Sequence, residues 1–279
     1  MNVLITGSNG FIGRNLSKQL SNKYLYNITE LHRDNCNLLD VESVNNFFSN
    51  SNKTYDLVLH TATEGGRRTK IDNINIVYNN LLMLYNLLSH QKYYQYIISF
   101  GSGAELDRRH HINDKSIGRY PIDPYGLSKS VIDKICADES KLCNFRIYNC
   151  FGYDEQPDRM IRNNIVKYLN RQSMVIHADR KMDFFFVEDL VRLIHFFIQT
   201  QNIPKKFDCC YKEKLYLSEI VQIINNLDTH KVDTIYETEI PGKDYTGQYV
   251  ETHIDYIGLH RAIKLIYNQY KISQELIIN

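Results

Sequence analysis

Short apolar runs alternate with amphipathic stretches along the first two thirds of the chain. Residues 2 to 6 (NVLIT) form a compact apolar run, and Ile12, Leu16 and Leu20 follow at helical spacing. A second strand-like run covers 27 to 32, and Val44, Phe47 and Phe48 mark the next helix. The alternation continues with a buried strand at 56 to 60 (DLVLH), a long helix over 73 to 90 and a strand at 96 to 100. A helix opening near Tyr125 carries Ile132, Ile135 and Cys136, and a strand at 144 to 149 comes next. Strands alternating with helices predict an α/β fold built on a doubly wound parallel sheet. Beyond Gly152 the regularity falls, and DEQPDRMIRNN reads as an excursion over the ligand crevice. A strand at 184 to 187, a helix over 190 to 197 and a strand at 206 to 210 follow, and 215 to 279 reads as two or three helices with short strands.

The first turn carries the first chemistry. GSNGFIG places Gly7, Gly10 and Gly13 between an apolar strand and a helix, with Asn9, Phe11 and Ile12 among them. Such a turn needs glycine's backbone freedom, and the helix N-terminus offers unpaired N–H groups to a pyrophosphate. This predicts a Rossmann dinucleotide-binding domain over 1–150, with 184–211 returning to it. Residues 151–183 and 212–279 are then a smaller substrate-binding lobe. Arg33 ends the second strand where an NAD enzyme more often carries an acid, so the expected cofactor is NADP, with NAD less favoured. Asn37 and Leu38 begin the segment expected beneath the adenine. The loop TATEGGRRTK leaves the carboxyl end of the third strand, which puts Thr61 and Ala62 at the cofactor. It also makes Arg67, Arg68 and Lys70 candidates for a sugar-nucleotide diphosphate.

The second chemistry lies in GSGAEL and PIDPYGLSK. Ser102 leaves the fourth strand toward the same crevice and offers a hydroxyl to a substrate oxygen. Tyr125 and Lys129 are one helical turn apart, with Pro124 suited to the helix entrance and Asp123 to its cap. A phenol beside a fixed ammonium has its pKa drawn below the usual value of about 10, as proton transfer near neutral pH requires. Arg108, Arg109, His110 and His111 form a second basic loop, without the carboxylate or cysteine set that would make it a metal site.

Composition narrows the classes. The net charge of +1 argues against a nucleic-acid binder that relies on bulk charge. No apolar run approaches the ~20 residues needed to cross a bilayer, and MNVLITGSNG has no leader pattern, so a soluble, cytoplasmic protein is expected. Six cysteines without a C-x-x-C pair read as reduced packing residues. The 73–90 helix is apolar on two faces, through Ile76, Tyr78, Leu81, Leu82, Leu84, Tyr85 and Leu88. One sheet contact needs less than that, so a homodimer through the 74–90 and 125–138 helices is expected.

Taken together, Gly7 to Gly13, Ser102, Tyr125-x-x-x-Lys129 and Asn149-x-Phe151-Gly152 resemble the extended short-chain dehydrogenase/reductase family of nucleotide-sugar epimerases, dehydratases and ketoreductases. RDNCNLLDVESVNNFF and the helix around Tyr78-Asn79-Asn80 are most similar to the GDP-L-fucose synthase group, the nucleotide-sugar 4-ketoreductases. The resemblance implies that Tyr125 delivers a proton, Lys129 holds the nicotinamide ribose and Ser102 binds the substrate carbonyl. It places Asn149 at the nicotinamide and the sugar, Arg33 at the NADP phosphate and Asn80 among the cofactor-binding residues. The group's epimerising cysteine and histidine fall on Ala104 and Met160, neither of which carries a proton. Met182 stands where relatives have a diphosphate-binding arginine, leaving Arg180, Lys181 or Lys167 to substitute. The expected activity is NADPH-dependent reduction of the 4-keto group of a nucleotide-linked 4-keto-6-deoxy hexose without 3,5-epimerisation. The alternatives are a nucleotide-sugar 4-epimerase with tightly bound NAD and a non-catalytic NAD(P)-binding regulator. A 4,6-dehydratase is disfavoured, because Gly103 and Ala104 stand where its acidic pair belongs.

Overall fold

Val3, Leu4 and Ile5 have no exposed surface, and a run buried on both faces is what an interior strand of a parallel sheet requires. In the computed structural model, which describes residues 1–51, 53–67, 70–106 and 120–278 and side chains through residue 273, this run is β1 (Asn2–Thr6). In chain order there follow α1 (Phe11–Tyr24), β2 (Asn27–Leu31), α2 (Val41–Asn50), β3 (Tyr55–His60), α3 (Asn75–Leu88), β4 (Tyr94–Ser102), α4 (Pro124–Asp138) and β5 (Leu142–Ile147). After them come β6 (Cys150–Phe151), α5 (Met160–Leu169), β7 (Met174–Ile176), β8 (Phe185–Phe186), α6 (Val187–Thr200), β9 (Lys206–Cys209), α7 (Leu217–Asn225), β10 (Thr234–Tyr236) and α8 (Leu259–Ile278).

The chain forms two compact units, Met1–Ile147 with Ile194–Asp208, and Tyr148–Leu193 with Cys209–Asn279. The main sheet has the order β2-β1-β3-β4-β5-β9, with parallel pairing from β2 through β5. This is the doubly wound α/β sheet that the alternation of strands and helices predicts. Leu31, Val44, Phe48, Val58, Leu84 and Leu87 pack into one core cluster on it. Residues 194–208 belong to this unit for visible reasons. His195 stacks on Tyr24 with ring centroids 3.7 Å apart and meets the Tyr26 hydroxyl at 2.8 Å, Phe197 packs on Phe145, and the Asn144 N–H donates to the Lys205 carbonyl at 2.8 Å.

The second unit holds two small parallel sheets, β10-β7 and β6-β8. One expectation is corrected here: the stretch from Met160 is helical rather than irregular. Ile161, Ile165 and Tyr168 recur at helical spacing and are fully or almost fully buried, so a buried stripe outweighs the polar residues between them. Two boundaries also move. β5 ends at Ile147, before Asn149, and the helix expected from Leu190 already begins at Val187. All six cysteines are buried free thiols. Among the described residues no helix is long and apolar enough to cross a membrane.

The Asp40 carboxylate caps α2, accepting from the Glu42 N–H at 2.9 Å and the Ser43 N–H at 3.4 Å. Asp40→Ala is therefore expected to lower stability by about 1 kcal/mol, read as a lower urea midpoint at unchanged slope.

Candidate active site

The turn between β1 and α1 is closed too tightly for side chains. Gly7 has φ +66, and a Cβ there would lie 2.7 Å from the backbone of Ala62. A Cβ on Gly13 would lie 2.4 Å from the Gly7 carbonyl oxygen and 2.7 Å from Thr61 Oγ1. The Gly10 N–H donates to the Gly7 carbonyl at 2.9 Å, and Gly10 caps α1 with no side-chain hydrogen bond. The first-turn N–H groups therefore face outward at the positive end of the helix dipole, with no acid in that turn. The Ser8 hydroxyl is buried and has no partner among the described residues. This cradle fits the pyrophosphate of a dinucleotide. Asn9 is exposed, Phe11 and Ile12 are half-buried on the first turn of α1, and the Asn9 carbonyl accepts from Arg14 Nη1 at 3.1 Å.

Arg33 follows β2, and its guanidinium pairs with Glu64 Oε1 at 3.1 Å. Asn37 Oδ1 accepts from the Leu39 N–H, whereas Leu38 is buried in the core and its carbonyl accepts from Asn86. Asn80 is buried and ties three pieces together. Its Oδ1 accepts the Glu64 N–H at 2.8 Å, and its Nδ2 donates to the Glu64 carbonyl at 3.1 Å and to Ser128 Oγ at 3.0 Å. Ser128 donates in turn to the Tyr125 carbonyl at 2.7 Å. Arg67 and Lys70 are exposed; Arg68 and the loop from Arg108 to His111 lie outside the described residues.

Ser102, Tyr125 and Lys129 come together at the end of β4. Asp123 caps α4, accepting from the Gly126 N–H at 2.6 Å, with Pro124 in the first helical position. A Cβ on Gly126 would lie 2.5 Å from the Ala104 carbonyl, so the first turn of α4 sits directly on the turn that follows Ser102. Ser102 Oγ accepts the Ala104 N–H at 3.2 Å. Lys129 is 4 % exposed; Nζ donates to the Phe100 carbonyl at 2.8 Å and stands 5.7 Å from the centroid of the Tyr125 ring. Burial lowers the Lys129 pKa to about 8, against the pull of the Glu105 charge. A Cβ on Gly66 would lie 3.0 Å from the Tyr125 ring, so the loop after β3 rests against the phenol.

Sequence reasoning missed two buried groups. His60 ends β3 with Nδ1 2.8 Å from Thr6 Oγ1, and burial, with the Lys129 charge, lowers its pKa to about 3. Only its place at the end of an apolar run signals it. Glu105 is 4 % exposed and closes a capping box on Ser102, which Ser-Gly-Ala-Glu announces as S-x-x-E.

In the second unit, Asn149 Nδ2 donates to the Asp183 carbonyl at 2.8 Å, and the Asn149 carbonyl accepts from Phe185 at 2.7 Å. Lys167 is half-buried in α5; Lys181 Nζ stands 5.3 Å from the Tyr216 ring centroid. Met182 is buried, and Met160 is the first residue of α5.

Residues 3–210 match the NAD dependent epimerase/dehydratase family. The chain belongs to that family, whose members are NAD(P)-dependent enzymes. It is 26% identical over 258 residues to a dTDP-D-glucose 4,6-dehydratase of Dictyostelium discoideum, a match covering 74% of this chain and 57% of that protein. It therefore spans little more than half the length of that relative. Among solved structures it is similar to a GDP-mannoheptose C4 reductase of Campylobacter jejuni with NADP bound, at TM-score 0.75 and 16% identity over 97% of this chain and 98% of that one. It is likewise similar to a UDP-glucuronic acid 4-epimerase of Bacillus cereus in complex with NAD, at TM-score 0.76 and 17% identity over 99% and 100% of the two chains.

His60 generates a pH dependence. Its folded pKa lies below the unfolded value of about 6.5, so the unfolded chain binds more protons between the two values. The stability this group contributes is complete above pH 6.5 and is lost as pH falls toward 3. Unfolding free energies from urea titrations at pH 7 and 4.5 are expected to differ by about 2–3 kcal/mol more in the wild type than in His60→Gln.

Proposed function

We propose that the protein reduces the 4-keto group of a nucleotide-linked 4-keto-6-deoxy hexose with NADPH, without 3,5-epimerisation. The observation that carries this reading is the convergence of Ser102, Tyr125 and Lys129 at the end of β4, in the same unit as the Gly7–Gly13 cradle. NADPH, when bound, supplies the hydride. The Ser102 hydroxyl donates a hydrogen bond to the substrate carbonyl and so stabilises negative charge as it develops on that oxygen. The Tyr125 phenol delivers a proton to the oxygen, and the Lys129 ammonium favours the phenolate that remains. Lys129 also holds the nicotinamide ribose. The glycine cradle holds the pyrophosphate, and Arg33 holds the 2′-phosphate in exchange for Glu64, an exposed pair that costs little to break. Asn149, Lys167, Lys181 and the basic loop after β3 serve the substrate. Moving a proton beside the ketone needs an acid or base within reach, and Ala104 and Met160 supply none. The structural likeness to a C4 reductase agrees with this reading.

A 4-epimerase that retains NAD is the second reading. The Glu64 carboxylate beside Arg33 favours it, because the guanidinium is already paired where a 2′-phosphate would sit. The proposal includes a homodimer through α3 and α4, supported by Tyr78 and Tyr85, which stay 67% and 66% exposed on a helix whose other face is buried. Sedimentation equilibrium is expected to return a dimer that Tyr78→Glu with Tyr85→Glu converts to monomer; a monomeric wild type removes that part.

Turnover in deuterated water, with NADPH and a panel of nucleotide-linked 4-keto-6-deoxy sugars, tests the activity. NADPH oxidation with no deuterium on carbon is expected, and Tyr125→Phe is expected to lower kcat about 10²–10⁴-fold. Deuterium beside the former ketone refutes the absence of epimerisation. No NADPH oxidation with any sugar, together with NAD that survives purification, would establish the epimerase instead.

A further inference from the structure

Glu105 lies outside the proposed reaction, yet its carboxylate is buried between the two parts that reaction uses. Its Oε2 accepts the Ser102 N–H at 3.2 Å. Oε1 accepts from Arg146 Nε, and the Asn144 amide donates to both oxygens at 3.2 and 3.3 Å. Every one of these contacts is a donor aimed at the carboxyl, the set that suits an ionised group. Arg146 is itself held from behind, its Nη1 2.7 Å from Asp208 Oδ1 and its Nη2 3.8 Å from Asp133 Oδ1. Gly101 leaves the space for this: a Cβ there would lie 2.6 Å from Glu105 Oε2 and 2.5 Å from Asn144 Oδ1.

Lys129 reaches the same stretch of backbone. Its ammonium takes the carbonyl of residue 100, and Glu105 takes the N–H of residue 102. Along an extended strand these two groups point the same way. One anion and one cation therefore grip neighbouring positions of the β4 terminus with Gly101 between them.

We propose that Glu105 is a positioning residue of this site, holding the Ser102 turn through its backbone and placing a counter-charge at the strand end that the Lys129 ammonium also grips. The role rests on the reading of Ser102 and Lys129 given above. It explains an otherwise costly choice, a carboxylate 4 % exposed beside a catalytic serine, since a capping box alone works as well at the surface. Burial pushes the Glu105 carboxyl up, and the Arg146 guanidinium pulls it back. The Glu105 charge in turn raises the Lys129 pKa against desolvation.

The charged and titratable groups around this pair come from four elements besides the Glu105 turn. Tyr125 and Asp133 lie on the helix of Lys129, neutral His60 ends β3, Arg146 comes from β5, and Asp208 comes from β9 with Lys206, which pairs with Asp133. Removing the Glu105 charge takes away the pull that raises the Lys129 pKa, so that pKa moves down.

The test is a titration of the full-length protein labelled at lysine side chains, followed by NMR, with the Lys129 signal assigned by its loss in Lys129→Arg. Glu105→Gln keeps the shape and the acceptor oxygen but not the charge. The Lys129 midpoint is expected to fall by about one pH unit, from about 8 in the wild type. An unmoved midpoint, in a variant with the wild-type melting temperature, overturns the proposal. If Glu105→Gln does not fold, Glu105→Asp carries the test, because it keeps the charge and shortens the reach. The Lys129 midpoint is then expected to hold while the Ser102 amide exchanges with deuterium about tenfold faster; unchanged Ser102 protection overturns it. No sugar enters either measurement, so a protein that reduces none of the sugar panel still decides the role of Glu105.

Discussion

A lysine ammonium sealed from water loses several kcal/mol of hydration, and the protein around Lys129 is arranged to compensate that loss. Its ammonium donates to a backbone carbonyl, that of Phe100, at 2.8 Å, which makes the position of the β4 terminus part of the electrostatics. The first turn of α4 is pressed onto the Ala104 carbonyl at Gly126, and Asp123 fixes where that turn begins. Asn80 of α3 secures the same helix through Ser128 and ties it to Glu64 in the loop after β3. The contacts at Gly126, Asp123, Asn80 and Ser128 limit how far the ammonium and the Tyr125 ring can move relative to each other, and none of these four touches either functional atom.

What the sequence makes legible follows from how local each signal is. The β1 turn is readable because strand, glycines and helix lie within one stretch, and the close approaches at Gly7 and Gly13 require the missing side chains. Tyr125 and Lys129 are readable because one turn of helix relates them. Leu38, read as a residue beneath the adenine, has its side chain packed in the core. Only the fold of the chain around it shows which way a lone leucine points. The helix that begins at Met160 is hidden because the polar residues of DEQPDRMIRNN mask a buried stripe that completes itself only at Ile165 and Tyr168. The S-x-x-E spacing makes Glu105 legible as half of a capping box, yet its partners Asn144 and Arg146 come from β5, about 40 residues later, and Asp208, which holds Arg146 from behind, comes from β9.

The same logic separates family from specificity. Family membership rests on motifs whose geometry the backbone imposes, and those survive at low identity to the similar structures. In the proposed reaction, Lys167 and Lys181 act on the sugar nucleotide, and their roles depend on that ligand's shape. In the same proposal, NADP against NAD hangs on the Arg33 guanidinium and its Glu64 neighbour, an ion pair small enough in energy for either cofactor to tip.

The main sheet closes late. Its sixth strand, β9, comes after the whole of Tyr148–Leu193, so a chain emerging from the ribosome exposes the edge of β5 until residue 208 has been made. During that interval the Asn144 N–H lacks the Lys205 carbonyl, and Arg146 lacks Asp208. An unfinished parallel sheet presents an open edge that other nascent chains can pair with. The charged guanidinium at that edge is poorly suited to such pairing, so the network that serves the finished protein also guards the unfinished one.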